Sequence, residues 1–251
     1  MDGATALSPR TDHHEAPSRI RPSLAYEAVI ADICRMPWEQ LSIDEMMRIA
    51  KAYYYFSIQF RENLEIACRL HPHDTKLKSL HDGECDTDNL SPWPGITAPG
   101  EKVNHDEFMR RLLAPHPAGH DDFLGAMGEA YLKCVRAIDD ATRAASIASY
   151  EDGGLTRVFS AMLRVPHWQG ASQLAFRFFL SEHIRFDNDE GGGHGALSRH
   201  LAPDDSILPL WVAFKSILVT AAPKLATATS KKREPALYVV GEGNTANSAE
   251  A

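Results

Sequence analysis

The stretch Ser181-Glu-His-Ile-Arg-Phe-Asp-Asn-Asp-Glu-Gly-Gly-Gly-His194 places two histidines and an aspartate at helical spacing. A helical residue advances by about 100°, so Asp187 lies about 40° and His194 about 20° from His183. In a continuous helix the three side chains form one stripe, and phenylalanines one and two turns earlier extend it toward an apolar interior. Buried imidazoles and carboxylates are costly without a partner. The stripe therefore predicts a metal site, and nitrogen-plus-oxygen ligands favour iron or manganese.

A second interpretation of this stretch needs no metal. His, Asp and Gly are common at helix termini, so the trio can also be a solvated helix end whose histidines repeat by chance. The run Gly191-Gly192-Gly193 supports this interpretation, because consecutive glycines destabilise a helix and can unwind the chain before His194. The spacing alone leaves both interpretations open.

Length and composition are those of an ordinary soluble globular protein. The 251 residues suffice for one sizeable core, and 44% are hydrophobic and 24% charged. A formal net charge of −8, without a dominant basic stripe, argues against nucleic-acid binding. The apolar stretch Leu208 to Ala222 is interrupted by Lys215 and is too short to span a bilayer. With no apolar signal core at the N-terminus, we expect a cytoplasmic protein without nucleic-acid or membrane partners.

The four cysteines lie far apart in the chain and form no CxxC pair. Such spacing is typical of reduced thiols in a cytosolic protein and not of a disulfide framework. They are Cys34, Cys68, Cys85 and Cys134.

The apolar periodicity predicts an all-α protein. Ser42-Ile-Asp-Glu45 is a capping box that opens a long helix ending near Leu70. From about Asp121 one long helix is expected to run toward Glu151. The segment Leu237-Tyr-Val-Val240 is too short and isolated to make a sheet. We predict one domain of seven or eight helices over residues 22–225, a polar N-terminal arm over 1–21 and a flexible tail over 226–251.

Several metal-type side chains lie on inward faces of different predicted helices. Glu84 follows two core leucines, although a lone Glu at a helix end can equally be a cap or a surface group, and His105 shares a face with Met109 and Leu112. Helical bundles build dinuclear sites from such residues on facing helices. Two metals need roughly six protein ligands, one of them a bridging carboxylate. The six candidates are Glu84, His105, Glu151, His183, Asp187 and His194.

These residues resemble the pattern of the haem-oxygenase-like diiron oxidases and oxygenases, which share a seven-helix fold with thiaminase-type and pyrroloquinoline-quinone-synthase-like proteins. That pattern is a Glu, a His several residues later, a lone Glu in a later helix, and His-x3-Asp followed by another His. Here His183-Ile-Arg-Phe-Asp187 matches His-x3-Asp, and Glu151 lies 32 residues before it, close to the family's interval. Glu84 and His105 match the first pair. The resemblance covers about residues 45 to 220.

Two intervals in this chain are longer than those of the family. Twenty residues separate Glu84 from His105, which implies an inserted loop, and otherwise His81 is the substitute ligand. The last histidine also follows the aspartate at a longer interval, so Glu190 can replace it. Glu62 is a weaker match to an additional carboxylate found in some members.

The resemblance implies a non-haem enzyme with two iron ions and O₂ as co-substrate. In such proteins two ferrous ions bind O₂, and a peroxo-diferric species oxidises a small organic substrate that resembles an amine, an amino acid or a fatty acid. The cofactor carries the hard chemistry. We expect a small-molecule substrate, and a homodimer is compatible with the sequence. The alternatives are a metal-free hydrolase of the thiaminase type, which needs a nucleophilic Cys beside a base, and a small-molecule-binding protein without a cofactor.

Overall fold

The structure, a computed structural model, describes residues 24–85, 90–187 and 194–226, apart from the side chain of Asp187. These residues contain α-helices, shorter helical turns and no β-strand, and Trp93 and Thr97 form an isolated bridge. The helices are α1 (Ala25–Cys34), α2 (Ile43–Leu70), α3 (Thr75–Cys85), α4 (His105–Leu113), α5 (Asp122–Arg136), α6 (Asp140–Ser149), α7 (Leu155–Met162), α8 (Gly170–Asp187), α9 (His194–Ser198) and α10 (Leu208–Ala221).

The predicted all-α, single-domain fold is confirmed. A widened turn over Tyr150–Gly154 joins α6 to α7, so these two form one kinked helix, and α9 has only five residues. Counted in this way, the described residues contain eight longer helices and one short helix, as the sequence predicts.

Capping side chains begin several helices, among them the predicted α2. At the start of α2 the Ser42 hydroxyl accepts from the Glu45 N–H, and the Glu45 carboxylate accepts from the Ser42 N–H, which confirms the capping box. Asp74 accepts from two backbone N–H groups of α3, and Asn104 accepts from one of α4. These bonds satisfy donors that the first helical turn leaves without intrahelical partners.

The single long helix expected from Asp121 to Glu151 is wrong. The chain forms α5 and α6 instead, because Asp139 accepts a 2.9 Å hydrogen bond from the Thr142 N–H and starts a new helix there. A short acidic side chain offers the backbone N–H groups an alternative to the helical ladder. Periodicity did not reveal this break because the apolar spacing continues across it.

Helix α2 lies at the centre of the core and packs against α3, α4, α5, α6, α8 and α10. Tyr53 of α2 is buried, and its ring lies within 6.5 Å of five other rings, those of Phe56, Phe159, Phe176, Phe179 and Phe214. Each such ring contributes on the order of 2 kcal/mol through burial. The aromatic core therefore anchors α7, which follows Glu151, and α8, which carries His183.

The predicted arm and tail fall outside the described residues, except Ala226, and those domain limits stay predictions. All four cysteines are free thiols, as expected. No helix in the described part of the chain has the length and apolar character needed to cross a membrane.

Candidate metal centre

Glu84 lies in the middle of a buried cluster of five side chains. One carboxylate oxygen, Oε2, is 2.6 Å from Nδ1 of His105, and the other, Oε1, is 2.7 Å from Nδ1 of His194. Oε2 of Glu151 is 3.2 Å from the same His194 nitrogen, and Nε2 of His183 is 3.2 Å from Nδ1 of His105. All five residues are between 4% and 8% exposed. Two carboxylates and three imidazoles thus meet away from solvent.

The cluster divides into two overlapping sets of three residues that share Glu84. One set is Glu84, His105 and His183, and the other is Glu84, Glu151 and His194. Within each set the potential ligand atoms lie within 4.8 Å of one another, so each set can hold a metal ion. Because the two oxygens of Glu84 face different sets, this carboxylate is placed as a bridging ligand would be.

The chemistry of the donor atoms fits a metal. Nε2 of His105 is buried and has no hydrogen-bond partner among the described residues. A buried polar atom without a partner costs about 1–3 kcal/mol, so folded proteins rarely leave one without a purpose. The His105 nitrogen that faces Glu84 and His183 is Nδ1, and the imidazole nitrogens and carboxylate oxygens that converge in the cluster are ligands that suit iron and manganese.

His183 is held in the form that binds metals. Burial and the neighbouring His105 lower the pKa of His183 to about 3, so its imidazole is neutral at physiological pH. Nδ1 of His183 lies 2.7 Å from the carbonyl oxygen of Phe179, and in the tautomer that donates there the lone pair of Nε2 faces the cluster. Its ring also packs on the Phe179 ring, with centroids 4.1 Å apart. These contacts fix the orientation of the imidazole before any metal binds.

Glu84 is held as a carboxylate. Burial opposes its ionisation, yet the adjacent imidazoles of His105 and His194 outweigh that effect and keep the pKa of Glu84 well below its usual range. Its place at the end of α3 follows from the fully buried Leu77 and Leu80 on the same helix. An anionic oxygen on each side is the form that two cations require.

Glu151 enters the cluster from the widened turn Tyr150–Gly154. Gly153 has a φ of +89°, a conformation that glycine adopts at low cost. A Cβ at Gly154 would lie 2.0 Å from the carbonyl oxygen of Ser149, so this position requires glycine. π-type turns within α-helices are frequent at functional sites, where they redirect a side chain. Here the turn places the Glu151 carboxylate beside His194.

Two further contacts hold this turn, and sequence reasoning missed both. Nε2 of Gln59 donates to the Tyr150 hydroxyl at 2.9 Å in the core. On the outer side Arg199 donates to both oxygens of Asp152, at 2.7 and 3.0 Å, and so ties the turn to the segment that follows α9 and His194. The one available signal was the Gly153-Gly154 pair, which showed an irregularity but not its partners.

The structure brings together five of the six predicted ligands. The sixth is Asp187, whose side chain lies outside the described part of the chain, as does Glu190. The sequence left His194 and Glu190 as alternatives for the last ligand, and His194 lies in the cluster. His81, the suggested substitute for His105, is 34% exposed and lies 3.7 Å from Asp82, outside both sets.

Glu62 forms ion pairs away from both sets. Its carboxylate oxygens lie 2.5 Å from Arg136 and 3.0 Å from Arg143, and the Arg143 guanidinium is only 7% exposed. The suggestion of an additional ligand at Glu62 therefore gains no support from the geometry. Its evident role is to neutralise a buried cation.

The Glu62→Gln variant is expected to lose about 2 kcal/mol of unfolding free energy at pH 7, because a buried guanidinium loses its charged partner. Burial acts to raise the pKa of Glu62, but bonds from Arg136 and Arg143 outweigh burial and lower it. A carboxyl with a lowered pKa stabilises the fold above its unfolded value of about 4.3 and loses this contribution as pH falls through the folded value. Urea unfolding at pH 7 and pH 3 measures the difference.

The matched control is Glu65→Gln on the same helix. Glu65 pairs with Arg61 but its side chain is 49% exposed, so the expected loss is at most about 0.5 kcal/mol. An equal deficit for Glu62→Gln at both pH values would contradict the electrostatic explanation.

No protein-family model, no curated protein and no solved structure matches this chain. The geometry by itself defines an all-α protein with a buried cluster of two Glu and three His residues that can hold a metal ion.

Proposed function

We propose that the chain is a non-haem dinuclear iron enzyme, an oxidase or oxygenase that uses O₂ and acts on a small organic substrate. The observation that carries the proposal is Glu84, whose two oxygens each lie within 2.7 Å of an imidazole belonging to a different set of ligands. A mononuclear site has no need for a shared carboxylate of this kind. The segment from His183 to Asp187 and the residue Glu151 resemble the ligand pattern of the diiron proteins, and this resemblance supports the same conclusion.

The donor set supports iron as the metal. The two sets supply three imidazoles and two carboxylates and contain no thiolate, which disfavours copper(I) and structural zinc. When bound, an iron pair would supply the reduction of O₂, chemistry that protein side chains do not provide.

The side chains of this protein hold and shield the centre. Phe159, Phe179 and Phe108 are fully buried, and the first two pack against the His183 ring. A dry apolar wall strengthens electrostatic interactions within the site and limits side reactions with water. Glu84 keeps its negative charge between the two sets, and Phe179 orients His183 through its carbonyl group.

The metal-free hydrolase alternative requires a reactive thiolate, and the structure does not favour one. Cys85 is next to the cluster in sequence, but burial and then the charge of Glu84 raise its pKa to about 12. Such a thiol is protonated at neutral pH and a poor nucleophile.

The test is anaerobic loading with Fe(II), metal counting, and O₂ uptake with rapid absorbance measurement on mixing. We expect about two irons per chain and O₂ consumption only by the loaded protein. His183→Ala should lose iron, whereas His81→Ala, a histidine outside both sets, should retain it. Failure to take up iron, or O₂ consumption unaffected by removing it, would overturn the proposal. Parallel loading with Mn(II) decides between the two metals, and O₂ uptake by the manganese form alone would replace iron.

A further inference from the structure

An open apolar groove of about 740 Å³ lies between α5 and α10. Its walls are almost entirely apolar, and two large side chains at its edges are unusually exposed, Phe123 at 58% and Val212 at 45%. Tyr131 and Cys134 of α5 also line it. Contiguous apolar surface of this kind marks an interaction site on a folded protein. None of the five clustered ligands lines this groove, so it is separate from the candidate metal centre.

The chain leaves the described structure near one end of this groove. Thr220 and Phe123 line that end, and α10 finishes one residue after Thr220. Arg48 fixes the same corner, because its Nε donates to the Ala221 carbonyl at 2.8 Å and its guanidinium lies 5.9 Å from the Phe123 ring. Ala226, the last described residue, lies only five residues beyond Ala221 at this corner.

The 25 residues after Ala226 contain one apolar run, Ala236-Leu-Tyr-Val-Val240, in an otherwise small and polar segment. The nine residues before this run can reach about 30 Å when extended. On α10 the groove extends from Thr220 to Pro209, about 17 Å at the rise of an α-helix. An extended run of five residues spans about the same length. Reach and length both match.

Charge favours the same placement. The residues that lead to the apolar run include Lys231-Lys232-Arg233. At the Phe123 end of the groove α5 begins with the exposed Asp122, and the Asp121 carboxylate before it lies 3.5 Å from the Arg48 guanidinium. Opposite charges at this end would guide the basic linker past the start of α5.

We propose that the segment Leu237–Val240 of this chain docks in the α5–α10 groove and covers Phe123 and Val212. The proposal goes beyond the proposed function and does not depend on it. Docking accounts for both the apolar run after Ala226 and the exposed apolar surface of the α5–α10 groove by one contact.

The test is disulfide trapping in the full chain with Val239→Cys, using the native Cys134 in the groove as partner. In a glutathione redox buffer the intramolecular disulfide measures how often the two thiols meet. The matched control adds Leu237→Asp and Tyr238→Asp, which keep the linker length and the thiol position but remove the apolar contact. We expect the equilibrium constant for the disulfide with Cys134 to be at least about tenfold larger in Val239→Cys alone than in the variant that also carries the two aspartates.

Equal trapping in both variants would show only tethered collisions, and no trapping in either would place the tail elsewhere. Either result overturns the proposal. A disulfide that forms mainly between two chains would assign the groove to a second copy and also overturn it. As an independent measurement, a chain ending after Ala226 should bind an environment-sensitive apolar dye more strongly than the full chain. This measurement needs no engineered thiol, and equal dye binding by the two chains would contradict docking.

Discussion

Glu84→Gln is expected to reduce bound iron from about two per chain to nearly none, because both ligand sets lose their shared anionic oxygen. The amide has almost the same size but carries no charge, and its NH₂ group cannot ligate a cation. Glu151→Gln changes only the set that contains His194 and should leave about one iron per chain. Metal counting after anaerobic loading and desalting measures both variants.

The control for this pair is Glu107→Gln. Glu107 lies two residues after His105 on α4, but it pairs with Arg110 and Arg111 at 2.7 Å on the protein surface. Its iron content should equal that of the unmodified chain. One or two irons retained in Glu84→Gln would show that Glu84 is not shared between two metals, and loss of both in Glu151→Gln would show that the two sets do not bind independently.

Trp211→Ala is expected to cost about 3–5 kcal/mol of unfolding free energy, the largest stability effect we predict. Trp211 of α10 is fully buried, and its indole N–H donates to the Ser149 hydroxyl at 3.0 Å. Its ring also lies 5.0 Å from the Tyr150 ring, directly beside the turn that carries Glu151. The substitution opens a cavity and leaves the Ser149 hydroxyl without its donor. Urea unfolding followed by circular dichroism measures the loss.

Trp168→Ala is the matched control, since it removes the same atoms from a half-buried position at the edge of the core. Its cost should be less than half that of Trp211→Ala, because part of the Trp168 side chain already contacts water and its edge position leaves a smaller cavity. Similar losses for the two variants would mean that Trp211 is not the packing anchor of the Glu151 turn.

Local signals were sufficient for much of the fold. The Ser42–Glu45 capping box starts α2, and Asp74 and Asn104 start α3 and α4, because a cap depends on residues within one helical turn. The break at Asp139 was missed for a related reason. A capping aspartate and an aspartate on the exposed face of a helix look the same in sequence, and the rest of the fold decides which one forms.

The candidate metal centre also has features that local sequence predicts and features that it does not. Helical periodicity placed Glu84, His105 and His183 on inward faces, since the direction of a side chain on a helix follows from its position in the turn. The turn around Glu151 was not predictable in this way, because its shape depends on Gln59 and Arg199, which are distant in sequence.

The sequence by itself therefore determined an all-α chain with metal-type residues on inward helical faces. Only the tertiary structure decided that Glu84 contacts both His105 and His194, and that it belongs to two ligand sets at once. The positions of its two carboxylate oxygens relative to the imidazoles depend on how α3, α4 and α9 pack together. That packing is set by the shape of the shared core, and spacing along the chain contains no information about it.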